Sequence, residues 1–166
     1  MKQNDNCKKH DWGTLLILIV TIEGLAIIAN MFNKGSGKYY ELLRKPFFAL
    51  PSIILAIIWP FVLIFISIAA YLFIRKSIIK GVNTNKGMLY YSVQVLLNFM
   101  WPFIFFRLNL YGISFLLSLL LIMTIVLTTK EFFKRCKLSG YFMLPYIILI
   151  IYMSIVNYYI WLLNEA

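Results

Sequence analysis

Apolar positions in this chain fall into five long stretches, roughly residues 14–32, 51–74, 88–106, 113–129 and 141–163, separated by short polar and mostly basic segments. None of the stretches alternates polar and apolar residues as a half-buried strand does, so a β-barrel is not expected. A helix needs about 20 mostly apolar residues to cross a hydrocarbon core of roughly 30 Å. Each stretch meets that length, and a helix is the form in which a lipid-embedded segment bonds all its own backbone polar groups. The pattern therefore predicts an all-α integral membrane protein, a five-transmembrane-helix bundle forming one domain over residues 1–166. A short tail, 1–13, precedes the first helix, and one longer loop, 33–50, joins the first two. The first stretch is too long for the apolar core of a secretion signal and no small-x-small cleavage pattern follows it, so it is read as a helix of the mature chain.

Composition agrees with a lipid-solvated chain: 62% of the 166 residues are hydrophobic and only 13% charged. The net charge of +10 changes the picture only through its distribution. Lys2, Lys8, Lys9, Arg75, Lys76, Lys80, Lys86, Lys130, Lys134, Arg135 and Lys137 fall on one side of the expected bundle. Lys34, Lys38, Arg44, Lys45 and Arg107 fall on the other. Basic residues in short loops favour the cytoplasm, so the N-terminus is expected inside and the C-terminus outside a cell membrane. Cations scattered beside membrane lipid headgroups account for the charge without a nucleic-acid partner. Cys7, Cys136 and His10 lack metal-ligand spacing, so two free thiols and no metal site are expected.

Polar side chains inside the stretches must face other helices or a cavity, because an unpaired polar group in lipid is costly. Tyr91, Gln94, Asn98, Trp101 and Phe105 recur at three- and four-residue spacing, which places them on one stripe of the third stretch. Such a stripe suits a pocket for a flat, largely apolar ligand, and it equally suits hydrogen-bonded helix packing. Ser154, Asn157 and Trp161 repeat the theme in the fifth stretch. Trp59-Pro60 and Trp101-Pro102 put a kink-inducing proline inside two helices, which can open space between them. Glu23 is the one carboxylate within the stretches. It reads either as a site for proton coupling or cation binding, or as a neutral acid bonded to a neighbouring helix. The loop at 33–50 turns from Lys34-Gly35-Ser36-Gly37 to aromatics and cations, which suits either an interfacial anchor or a lid over one bundle end. No nucleophile elbow, phosphate loop, paired catalytic acid and base, or zinc helix is present, so no catalytic residue is assigned.

The run Leu97-Asn98-Phe99-Met100-Trp101-Pro102-Phe103-Ile104-Phe105-Phe106, with Gln94 before it and Gly112 after it, resembles the L-N-x-x-W-x-x-x-F-F motif of the tryptophan-rich sensory protein or translocator protein family (TspO, peripheral benzodiazepine receptor). Tyr40, Lys45-Pro46, Pro51 and Trp59 resemble that family's first-loop segment and its following tryptophan. Leu144-Pro145-Tyr146, Asn157, Ile160-Trp161 and Leu163-Asn164 resemble its last helix. The resemblance spans about residues 39–164.

It implies a five-helix bundle, commonly a homodimer, that binds porphyrin-like tetrapyrroles, haem included, as ligand and not as cofactor. The implied pocket lies among the helices beneath the first loop and uses Tyr40, Trp59, Asn98, Trp101, Phe105 and Asn157, with Lys45, Pro46, Phe48 and Pro51 in the covering loop. The expected function is a membrane receptor or sensor for such ligands, associated with their transport. Two alternatives stay open: a light-dependent or oxidative porphyrin-degrading enzyme with Trp59 as the weak catalytic candidate, and a proton-coupled small-molecule transporter using Glu23. Phe48, Leu50 and Leu149 stand where the family has tryptophan, proline and tryptophan, and the tryptophan lost at Leu149 weighs against the degrading activity. No Lys or Arg follows Tyr158 or Tyr159, so the implied sterol-recognition pattern is missing, which within the resemblance points to a bacterial cell membrane.

Overall fold

A computed structural model describes residues 12–165. Cys7, His10 and the tail lysines Lys2, Lys8 and Lys9 lie outside the described residues. Five helices are long and apolar enough to cross a membrane: α1 Trp12–Phe32, α3 Ser52–Ile79, α4 Asn85–Pro102 with its continuation to Arg107, α5 Tyr111–Arg135 and α6 Lys137–Asn164. A short helix, α2 Ser36–Leu42, lies between the first two spans. The multi-pass all-α architecture read from the hydrophobic pattern is the architecture of the structure.

Several helices outrun their apolar stretches. α3 continues through Arg75 and Lys76, and α5 through Lys130, Lys134 and Arg135, because long basic side chains lay their methylenes along the helix and carry their charge to the headgroups. The stops are local. Gly81 at φ 62° follows α3, and the Val82 N–H donates to the Ser77 carbonyl at 3.0 Å, the closing bond of a Schellman turn. α5 and α6 are separated by Cys136 alone, which is extended, and the Lys80 ammonium donates to the Arg135 carbonyl at the end of α5. Beyond Pro102, Phe103–Arg107 forms a π-turn in which the Leu108 N–H reaches the Phe103 carbonyl at 3.1 Å.

Packing runs around the bundle in the order α1, α3, α6, α5, α4, with α4 returning to α1. Between helices in lipid, close packing and hydrogen bonds replace the hydrophobic drive that water supplies. Small polar residues make the bonds. Ser139 donates to the Ala69 carbonyl (2.6 Å), Ser118 meets Ser154 (2.7 Å), and the Asn157 amide donates to Ser114 (3.0 Å). Toward the end of the bundle that carries the α3–α4 and α5–α6 turns, the core closes on a stack of rings, Phe73 on Phe132 at 4.4 Å and Tyr91 on Phe132 at 6.0 Å. Toward the opposite end, a second cluster of Tyr40, Phe105, Tyr111, Val156 and Ile160 packs under α2. Outward faces carry exposed Leu16, Ile17, Val20, Leu116 and Ile148, the surface expected against lipid acyl chains.

Candidate ligand cavity

Between these two packed ends the helices part around a cavity of about 590 Å³. α1 contributes Glu23, Ala26 and Asn30, Asn33 follows in the turn after it, and α3 contributes Ala56, Trp59 and Pro60. α4 adds Asn98, Trp101 and Pro102, with Ser118 and Ser154 behind them, and Ser36, Gly37 and Tyr40 of α2 close the loop end. Both wall prolines lack the N–H that would have bonded the carbonyl four residues earlier. Those carbonyls belong to Ala56 and Asn98, themselves wall residues. A mostly apolar cavity of this size with a few polar groups is the usual form of a small-molecule site.

The third-stretch stripe divides in the structure. Asn98 and Trp101 border the cavity, whereas Tyr91, Gln94 and Phe105 are buried in helix packing. The π-turn places more residues in one turn than an α-helix does. Phe105 there stacks behind Trp101 at 4.7 Å and edge-on to Tyr111 at 5.1 Å. The Trp101 indole N–H is held by the Ser114 carbonyl at 3.1 Å, so that side chain offers the cavity a fixed ring face and no free donor. Asn157 lies outside the cavity wall, its amide spent on Ser114 of the adjoining helix. Tyr40, Trp59 and Glu23 do border the cavity.

Lys45, Pro46, Phe48 and Pro51 do not touch the cavity themselves; they hold the segment that does. The Tyr152 hydroxyl donates to the Phe48 carbonyl (3.0 Å) and accepts from the Leu50 N–H (2.8 Å). Asn164 brackets Arg44, accepting from its N–H at 3.1 Å and donating to its carbonyl at 2.9 Å. The Tyr39 and Tyr111 hydroxyls are bonded to each other. The roof is thereby fixed to α5 and α6. Gly35 at φ 85° makes the turn from α1 into it, a conformation glycine adopts without strain. Lys45 sits 4.3 Å from the centre of the Tyr40 ring and pairs with Glu41. Burial, with the neighbouring Tyr152 and Glu41, pushes the Tyr40 hydroxyl up to about 12, so it stays a proton donor at any physiological pH.

Glu41 ties the roof together through pH-sensitive bonds. Its carboxylate accepts from Lys45 and from the Ser52 N–H, and these hold it down to about 2 from an ordinary 4.5. A depressed carboxylate pKa stabilises the folded loop above the ordinary value, and the stabilisation disappears as pH falls from about 4.5 toward about 2. Protection of the amides of residues 36–52, taken relative to the intrinsic exchange rate at each pH, is expected to fall over that window in the wild type. In Glu41→Gln it should already be low at pH 7 and show no step.

α2, Asn30, Asn33 and Ser118 are the parts of the site that the apolar pattern did not single out. The one signal available was periodic: Glu23, Asn30 and Lys34 recur at seven and four residues on an otherwise apolar stretch.

The geometry defines a five-helix membrane protein with a roofed small-molecule cavity between its helices. The sequence profile of the TspO/MBR family matches residues 14–162, and the chain belongs to that family. Among relatives, it is 29% identical over 132 residues to "Protein CrtK" of Rhodobacter capsulatus, covering 78% of this chain and 81% of that one. It is 26% identical over 153 residues to "Tryptophan-rich protein TspO" of Archaeoglobus fulgidus, covering 90% of this chain and 96% of the relative. Membership supports a membrane sensor or receptor role.

Proposed function

We propose that this protein is a membrane receptor or sensor that binds porphyrin-like tetrapyrroles and related flat apolar ligands in the cavity beneath α2. The single observation that carries the reading is the joint placement of Trp59, Trp101 and Asn98 on the wall of one cavity of about 590 Å³. Indole rings offer flat faces for stacking, and Asn98 adds a polar anchor. Lys34 at the loop end of the cavity suits the peripheral carboxylates that such macrocycles carry. In this reading the protein sits in the cell membrane with its N-terminus cytoplasmic. The loop end of the cavity then opens toward the outside, a placement supported by the eleven-to-five division of basic residues.

Titration of the purified protein with protoporphyrin IX in the dark, followed by tryptophan quenching, tests the proposal. Saturable quenching is expected, and Asn98→Ala should weaken it by about three- to tenfold, the loss of one hydrogen bond. Quenching that never saturates would reject the ligand class.

A further inference from the structure

Three polar atoms on the cavity wall are buried and have no hydrogen-bond partner among the described residues: Glu23 Oε1, Asn33 Oδ1 and the Tyr40 hydroxyl. The Asn33 amide nitrogen donates to the Ala29 carbonyl at 2.8 Å, which leaves its oxygen as the free end. Two of the three, Glu23 Oε1 and Asn33 Oδ1, are acceptors. Several donors nearby are already committed. Trp101 bonds Ser114, Ser118 and Ser154 bond each other, and the Ser52 N–H bonds Glu41. At Glu23 Oε1 and Asn33 Oδ1 the protein supplies no donor, and a ligand that brings N–H groups satisfies these two acceptors.

The acid end is the most demanding part. Glu23 has no ion-pair partner among the described residues. Lys34, the basic side chain on the wall, stands eleven residues further along the chain, on the order of 15 Å away at helical rise. The cavity that Glu23 borders is also lined by apolar Ile22 and Ala26 of its own helix and by Leu63, Ile66, Val95, Leu121 and Ile150 of the others. An acid so placed gains from a cationic or N–H-bearing partner that enters the cavity with the ligand.

We infer that Glu23 is a specificity determinant, selecting flat ligands that present a cationic nitrogen or an N–H donor to the end of the cavity remote from α2. The inference rests on the reading of the cavity as the ligand site. Among the flat ligands of that reading it favours nitrogen-bearing ring systems that offer Glu23 a cationic or N–H group from a ring edge or ring face.

A pair of flat three-ring probes separates the two claims: 9-aminoacridine, a cation with N–H donors, and anthracene, which has neither. Binding is followed by tryptophan quenching of the full chain in nanodiscs of neutral lipid, with empty nanodiscs subtracted. Wild type is expected to bind 9-aminoacridine at least about tenfold tighter than anthracene, the worth of a hydrogen bond to a charged group. Glu23→Gln should lose most of that preference by weakening the amine alone, and Glu23→Asp, which keeps the charge, should retain it. Ala56→Trp, filling the cavity, should weaken both probes. Preference unchanged in Glu23→Gln, an equal loss of both probes in it, or no preference in the wild type would overturn the role of Glu23 while leaving the cavity as a binding site. Binding of both probes untouched by Ala56→Trp would overturn the site itself.

Discussion

Phe132→Ala lowers the stability of the bundle by about 2–3 kcal/mol, near the lower edge of the range for truncating a buried aromatic, because the cavity term persists in lipid while the transfer term shrinks. Phe132 is fully buried and is stacked against both Phe73 and Tyr91, so three helices lose a shared ring at once. Its neighbours have nowhere to move. A Cβ on Gly87 would already stand within 3 Å of the Phe73 ring, so that ring lies directly against the α4 backbone. Denaturation in a titration of sodium dodecyl sulfate, followed by circular dichroism, measures the loss, with lipid-facing Leu116→Ala as the variant expected to change little. A Phe132→Ala midpoint equal to the Leu116→Ala midpoint would mean the ring stack is not what closes that end of the bundle.

Ala56→Trp removes protoporphyrin IX binding almost completely, by more than about thirtyfold, because an added indole occupies the space a ligand ring needs. The expected size follows from exchanging a stacked, desolvated contact for a steric clash, an effect of roughly 2 kcal/mol or more. Ala56 borders the cavity and is exposed there, one turn from Trp59, so the new ring has room to enter without displacing the core. The circular dichroism spectrum and melting temperature should therefore stay within a few degrees of wild type. Full-strength, saturable quenching by Ala56→Trp would place the macrocycle elsewhere on the protein.

The motif that resembles a known family was legible because its residues are adjacent on one helix, and the family match over residues 14–162 bears out that identification. The part each motif residue plays was less legible. Asn98 and Trp101 reach the cavity while Gln94 and Phe105, on the same periodic stripe, are packed away from it. Periodicity places side chains on a face but does not say how wide an opening that face meets. The π-turn after Pro102 also breaks the period where Phe105 begins. Asn157 shows the same limit, since a polar residue facing inward satisfies lipid exclusion equally well by bonding Ser114 or by lining a cavity.

The sequence by itself determined the solvent, the number of spans and the two-sided loop arrangement, because length, apolarity and the cost of unpaired backbone groups in hydrocarbon leave a chain little choice. It also drew attention to Glu23, since an acid within an apolar stretch is conspicuous on composition alone. Only the tertiary structure decided that α2 folds as a roof, that Tyr152 and Asn164, more than 100 residues away in sequence, hold it down, and that Glu23 shares one cavity with Trp59 and Asn98. These depend on which helix faces meet, and helix–helix contact in lipid is set by the fit of small residues and a few hydrogen bonds that no single helix encodes.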